Sequence, residues 1–447
     1  MKLDEFGRYR AFPKPNTSLT LPPDASLCPF SDTSADEDAI AEPLFSEAAG
    51  KKDTELGYYI ESWAGYVAEG EFRARGSSGG FLSWLLVELL RQRAVDAVIH
   101  VKPRIPDYAD HRLFSFGVSR TPDEILTGAK SHYYPVEMSE MLDVIRSQPG
   151  RYALALLPCF VKAVRLLARE DPILRDRIKY CVGLVCGHLK STAFAELLAW
   201  QSGVAPDQIH RIDFRRKLPE HPAWRYGVTI NADSAPSDER TVVAAELFGT
   251  EWGLGFFKYK ACDLCDDVIG ETADISVGDA WLPEYWDDYL GTNVVVVRNV
   301  FLAEIVKKAI TAKRLSFERI PADRVKESQS GGFRHRRDGL AYRLFLADRA
   351  RTWRPRKRVL PRRRHLDAAR RGVYEQRSIL AELSHIAWKD AKMAADFGVF
   401  VKRMQPVIES YTRFFNASPP SISGPLFRLR AFLGRAKRRV KGLLFLR

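Results

Sequence analysis

Cysteine placement is the feature of this chain with most chemistry in it. Cys262 and Cys265 form a Cys-x-x-Cys pair within the stretch from Phe257 to Trp281. Two more, Cys159 and Cys186, close apolar, strand-like runs at Leu156-Leu-Pro-Cys159 and Val182-Gly-Leu-Val-Cys186. Thiolates are soft ligands suited to zinc or to iron–sulfur clusters. A structural zinc ribbon usually supplies two close Cys-x-x-Cys knuckles, whereas one pair with two scattered singles at strand ends is acceptable for a cubane cluster. The ligand pattern alone leaves a cluster, a zinc ion and unligated thiols all open. Cys181 falls mid-strand and reads as core packing. Cys28 lies in an N-terminal loop with no cysteine near it in sequence.

Other groups stand in suggestive settings. The alternation of Ala273, Ile275 and Val277 reads as a strand that ends at Gly278. Asp279 follows at that end and is the carboxylate expected to transfer a proton or touch a cofactor. His188 and His132 are acid–base candidates, although a lone histidine is more often structural. The loop Arg75-Gly-Ser-Ser-Gly-Gly80 runs straight into a helical pattern, so backbone N–H groups and hydroxyls at a helix N-terminus could take a phosphate. It is neither the dinucleotide fingerprint nor a P-loop, and a tight turn with an N-cap is the plainer alternative. Gly128-Ala-Lys-Ser-His-Tyr-Tyr134 gathers a cation, a hydroxyl and aromatic faces that a flavin or other planar cofactor could use. An exposed loop with two packed tyrosines would look the same.

The elements that must position these groups alternate along the chain. Strand, glycine loop, helix and strand from Tyr58 to Val101 make a βαβ-like unit. Core strands ending at Leu157 and Val185, each followed by a helix, extend it. Beyond Ile209 the texture changes to strands and turns, and after residue 340 to helices joined by basic linkers. The fold class expected is therefore α/β and α+β: a mixed-sheet core with flanking helices, followed by a helical basic C-terminal tail. The boundaries expected are an N-terminal arm of mostly loop over 1–55, an α/β domain over 56–208 carrying the Gly/Ser loop, an α+β domain over 209–335 carrying Cys-x-x-Cys and Gly-Asp, and a helical tail over 336–447.

Composition narrows the class. At 447 residues and 46% hydrophobic content the chain can bury a sizeable core. Its 6 cysteines do not form a secreted disulfide framework in a chain of this size. The N-terminus shows no apolar signal region, and the longest apolar stretch, Phe81 to Leu90, is too short to span a bilayer and contains Glu88. A cytoplasmic location is expected. Net charge is +13, with much of the excess in Arg351 to Arg364 and Arg428 to Arg447, so the basic character belongs to a tail. From Pro425 onward, Leu426, Leu429, Leu433, Ala436, Val440 and Leu444 share one helical face and the cations another. Such a helix could lie peripherally on an anionic membrane surface, dock to an acidic partner, or pack back on the body. No nucleic-acid motif accompanies the charge, and no nucleic-acid partner is expected.

Taken in order, the motifs from about residue 57 to 300 resemble the coenzyme F420 hydrogenase/dehydrogenase beta-subunit family. They are the Arg75–Gly80 loop, Gly128-Ala-Lys-Ser-His132 (the family more often shows Gly-Ser-Lys-Tyr), Leu157-Pro-Cys159, Gly183-Leu-Val-Cys186-Gly-His188, Phe214-Arg-Arg-Lys217, Cys262-Asp-Leu-Cys265, Ala273-Asp-Ile-Ser-Val-Gly-Asp279 and Gly291-Thr292. The resemblance implies an oxidoreductase with FAD and one 4Fe-4S cluster held by Cys159, Cys186, Cys262 and Cys265. It implies flavin contacts from the loop, with Arg75, Ser77, Ser78, Gly79 and Gly80, and from Lys130 and Ser131, and it leaves Asp279 and His188 as candidates for proton chemistry. Many relatives carry an N-terminal ferredoxin-like segment, of which only Cys28-Pro29 is seen here. The chain is then expected to depend on an external electron-transfer protein, to work as an oligomer or complex subunit, and to serve an organic hydride acceptor or donor, with coenzyme F420 as one candidate. Similar bacterial proteins are often associated with polysaccharide genes, so the alternative is a non-catalytic adaptor on this scaffold, with zinc or no metal.

Overall fold

Segments such as Tyr152-Ala-Leu-Ala-Leu156 and Asn293-Val-Val-Val-Val297 are apolar at every position, so both faces of any sheet they enter must be covered. The computed structural model describes residues 1–12, 25–104 and 111–418. Its strands are β1 (Glu61–Val67), β2 (Ala97–Pro103), β3 (Phe114–Ser119), β4 (Tyr152–Leu156), β5 (Ile178–Leu184), β6 (Ile209–Arg216), β7 (Gly227–Ala232), β8 (Ala235–Val243), β9 (Ile275–Asp279), β10 (Asn293–Val297) and β11 (Leu315–Arg319), besides short two-residue pairs. Eight of them form one mixed sheet in the order β11-β1-β10-β9-β5-β4-β2-β3. Strands β9, β5, β4 and β2 are mutually parallel, and β10 enters antiparallel between β9 and β1. Alternate residues feed the two sides. Tyr152, Leu154 and Leu156 join one core cluster and Ala153 and Ala155 the other.

The helices used below are α1 (Glu37–Ala49), α2 (Phe81–Arg91), α3 (Pro158–Glu170), α4 (Ser330–Arg336), α5 (Asp338–Arg349), α6 (Ala368–Ala394) and α7 (Phe397–Ala417). Helix α2 buries Phe81, Trp84, Leu85, Leu86, Val87 and Leu89 under one face of the sheet. On the other face, α3 contributes Val161 and Val164 to a core that reaches Leu380, Trp388 and Phe400 of α6 and α7. Helices α6 and α7 form a hairpin turned at Ala395 (φ 49°), with the Asp396 side chain accepting from the Gly398 N–H. Among the described residues no helix is long and apolar enough to cross a membrane.

Three expectations are corrected. Residues 37–49 are a helix rather than loop, because Asp36 caps it by accepting from the Ala39 N–H and Glu37 and Asp38 suit the positive end of its dipole. The boundary at 208/209 does not separate two sheets: β9, β10 and β11 complete the sheet begun by β1 to β5, and only β6, β7 and β8 form a sheet of their own. The boundary at 335/336 cuts α4 one residue before its end. The basic stretch after residue 350 packs onto the body. Lys357 Nζ lies 2.6 Å from the buried Asp266 carboxylate and Arg358 3.0 Å from it, with a further pair from Arg358 to Glu271. Buried carboxylates require such partners, and this segment supplies them. The amphipathic pattern from Pro425 onward lies outside the described residues.

Candidate functional site

Because β9, β5 and β4 are parallel and β1 runs with them, their carboxyl ends share one edge, where ligands of α/β sheets commonly bind. Asp279 ends β9, Cys186 follows β5, Cys159 follows β4, and the Gly/Ser loop follows β1. Asn293 pairs in register with both Asp279 and Gly65, so one residue at this edge can reach across it.

The loop is fastened by contacts within the protein. Asn293 Oδ1 accepts from the Phe81 N–H at 3.0 Å, the Ser78 hydroxyl donates to the Thr292 carbonyl at 2.9 Å, and Lys217 Nζ donates to the Ser78 and Leu290 carbonyls at 2.9 and 2.6 Å. Burial and the neighbouring Lys130, Arg73 and Arg215 charges pull the Lys217 pKa down to about 7. A Cβ on Gly79 would stand 2.7 Å from Asn293 Oδ1, and Gly80 adopts φ 85° with the Phe72 carbonyl 2.5 Å from where its Cβ would be. Gly291, φ 76°, leaves no room for a side chain beside Ser78. These glycines answer to close packing, and the first N–H of α2 is already engaged by Asn293, as the tight-turn alternative requires. Arg75 is exposed and does not line the cavity described next. Ser77 is different. Its Oγ accepts from the Ser131 N–H at 2.8 Å, joining the two segments expected to meet a cofactor.

Both segments open on a cavity of about 3340 Å³, whose walls include Ser77, Ser78, Gly80, Lys130, Ser131, His132, Arg215, Asp279, Cys186 and His188. Asp279 has partners on both its side chain and its backbone. Its carboxylate lies 3.0 Å from Arg215 Nη1, and Gln329 Nε2 donates to its carbonyl. Arg215 also donates to the Tyr133 hydroxyl at 3.1 Å and sits 4.3 Å over the Tyr226 ring. The Asp279 carboxylate and the tyrosines keep this buried guanidinium firmly protonated. Lys130 is held 3.3 Å from Asp213. Buried N–H positions without partners remain on this wall at Arg215 Nε, together with the Nε2 atoms of His132 and His188. Burial and then Lys190 drive the His188 pKa well down, so its imidazole is neutral, and its ring meets Trp252 at 4.5 Å. Arg215 sits in the Phe214-Arg-Arg-Lys217 motif, yet its role was not assigned from sequence. The available signal was a basic cluster inside a strand pattern, where side chains alternate between sheet faces.

Four of the thiols lie near enough to influence one another's charge. Burial raises the Cys159 thiol pKa far above its ordinary value, and Cys265, Cys186 and Cys262 add to that effect from close by. Cys262 and Cys265 are each raised to about 11, chiefly by burial. Arg336, on α4, reaches in among them: Nη1 lies 2.7 Å from Cys265 Sγ, Nη2 3.5 Å from Cys186 Sγ and 2.9 Å from the Gly187 carbonyl. The Leu189 N–H donates to Cys262 Sγ at 3.3 Å. Among the described residues no three His, Cys, Asp or Glu side chains meet closely enough to hold a single metal ion. Cys181 is buried in β5, where burial raises its thiol pKa to about 11 and the nearest charges are Arg165 and Asp274.

The family models for the N-terminal and C-terminal parts of the coenzyme F420 hydrogenase/dehydrogenase beta subunit match residues 62–143 and 150–323. The chain belongs to this family. The beta-subunit family is one of oxidoreductase components, and two curated members are similar to this chain along most of their own length. The coenzyme F420 hydrogenase subunit beta of Methanothermobacter thermautotrophicus is 22% identical over 278 residues, 61% of this chain and 88% of its own. That of Methanococcus voltae is 22% identical over 238 residues, 52% and 76% respectively. A chain of the F420-reducing [NiFe] hydrogenase complex from Methanosarcina barkeri aligns with TM-score 0.47 at 19% identity, over 64% of this chain and 92% of that one. Helices α4 to α7, Arg336 among them, lie past the family match.

Proposed function

We propose that this chain is a flavin- and iron–sulfur-dependent oxidoreductase subunit that passes electrons between a one-electron protein partner and an organic hydride acceptor or donor. The observation that carries the reading is the convergence of Cys159, Cys186, Cys262 and Cys265 beside a cavity that Cys186 also lines. All-sulfur donor sets suit iron–sulfur clusters, which are bulkier than one ion and do not need their ligands in single-ion contact. The unpartnered nitrogens of His132, His188 and Arg215, with Ser77 and Lys130, give the adjoining wall polar groups for a flavin. The chemistry such groups supply when bound is single-electron transfer on one side and hydride exchange on the other.

The chain's own residues prepare that chemistry. The four cysteines, protonated by burial, each release a proton on binding metal. Arg336 and the Leu189 N–H donate to sulfurs, which offsets negative charge there. The Arg215–Asp279 ion pair, with Tyr133 on the guanidinium, holds N–H donors in place at the strand ends, and His188 presents a neutral imidazole. Coenzyme F420 is the first organic partner to test, given the relatives' names. Anaerobically purified protein should be brown-yellow, with flavin and iron both measurable and with F420 reduction assayable from a one-electron donor. Colourless protein carrying stoichiometric zinc would overturn the reading.

A further inference from the structure

The cavity's charges are unevenly matched. Of the carboxylates that line it, Asp279, Glu246 and Glu327 pair with Arg215, Arg225 and Arg324, and Glu251, Asp396 and Glu409 stand on its walls as well. Arg334, Arg370 and Arg377 also line the cavity, and among the described residues no carboxylate stands within ion-pairing distance of them. Arg370 and Arg377 lie on α6 with Val373 and Tyr374 between them, and all four face the cavity. That spacing, i, i+3, i+4, i+7, is one helical face, here with a cation at each end. The Tyr374 hydroxyl donates to the Arg334 carbonyl at 3.0 Å, which fixes α4 against α6. Arg377 Nη2 donates to the Trp252 carbonyl at 3.4 Å while its Nε is buried with no acceptor. The Trp252 ring in turn touches His188 and lies 4.9 Å from Lys190 Nζ. Burial, and then Arg370, lower the pKa of Arg334, with Arg377 acting in the same sense and Asp338 opposing from beyond pairing distance. Gathering cations on a partly desolvated wall is unfavourable without a negative group to offset them.

We propose that Arg334, Arg370 and Arg377 form an oxyanion site that receives the acidic end of the organic substrate, a phosphate- or polycarboxylate-bearing compound. Guanidinium groups match both oxyanions through paired N–H donors. The word substrate rests on the oxidoreductase reading; the anion site does not.

The test uses the full chain, purified anaerobically and loaded with flavin and iron, and follows tryptophan fluorescence, because Trp252 sits against Arg377. Pyrophosphate and tricarballylate are titrated separately, with glycerol as the uncharged control. Saturable binding of either anion and none of glycerol is expected, and the anion that binds identifies phosphate or carboxylate as the chemistry. Arg370→Gln with Arg377→Gln should weaken it by about tenfold or more, with flavin and iron content unchanged. Arg370→Gln alone serves if the double variant does not fold. No saturable binding by the unaltered chain, or equal affinity in the variants, overturns the site. Loss of flavin alongside the anion also overturns it, since the arginines would then hold the flavin's own diphosphate. Wild-type protein without flavin or iron that still binds the anion through these arginines would remove the oxidoreductase reading and leave the site standing.

Discussion

The cavity has walls of two origins. One is built from strand ends and loops inside the segment that matches the beta-subunit family, and there the charges are settled in place: Arg215 with Asp279, Lys130 with Asp213, Lys217 with carbonyls. The other comes from α4, α6 and α7 beyond that segment, and its arginines have no carboxylate in pairing range among the described residues. A wall whose charges cancel internally can hold geometry whether or not anything is bound. A wall with uncancelled charge is completed by what binds. On the reading proposed above, the difference would separate an electron-transfer apparatus within the family match from a recognition surface beyond it.

The largest test of that division is Cys262→Ser, which should reduce iron per chain to near background while flavin stays; unchanged iron would reject the ligand assignment. Next comes the shared wall's packing. Leu154→Ala, at a fully buried position of β4, should cost about 2–5 kcal/mol by chemical denaturation. A loss well below that range would mean the sheet centre is less rigid than described. Arg336→Gln probes where the division is crossed, since an α4 residue serves the cysteines. Removing a positive charge and N–H donors from the sulfurs should lower the midpoint potential of the iron centre in an EPR-monitored titration, with iron retained. An unmoved potential would return α4 wholly to the recognition side.

Acid should loosen the fold while leaving the arginines charged. His100, His132 and His385 have pKa values lowered to about 4 from an ordinary 6.5, mainly by burial. The folded state keeps them neutral, while the unfolded chain binds protons below that ordinary value. Stability is therefore full above about pH 6.5 and falls toward pH 4, by up to about 1.4 kcal/mol per pH unit for each histidine. Urea midpoints at pH 7.5 and 5.5 check the sign, and His132→Gln should flatten the slope by one proton. The smallest effect is expected from Cys181→Ala, about 1 kcal/mol of stability with iron unchanged, which would set this packing thiol apart from the other four.

Sequence carried the fold's class because it depends on local pattern, apolar strands that end at a cysteine or an aspartate, and the same pattern with the ordered family motifs is what put forward the four-cysteine set. It did not carry the partners. That Asp279 is bound by Arg215, that Asn293 packs on Gly79 and Gly291 on Ser78, and that Lys357 and Arg358 fold back onto Asp266 all follow from contacts between segments far apart in the chain. The helix over Glu37–Ala49 was missed because Pro43 and the acidic start looked like loop, although an aspartate cap with acidic first-turn residues is also a helix signal.

Strand β10 sits between β1 and β9, and Arg336 reaches the cysteines from beyond both. On a ribosome, then, the first two hundred residues emerge with a sheet edge still awaiting its neighbours, and the sulfurs wait for a guanidinium synthesised after all of them. If the four sulfurs hold the proposed cluster, loading in the finished arrangement would be a late event in the life of the nascent polypeptide, and a stalled or truncated product would be an unarmed one.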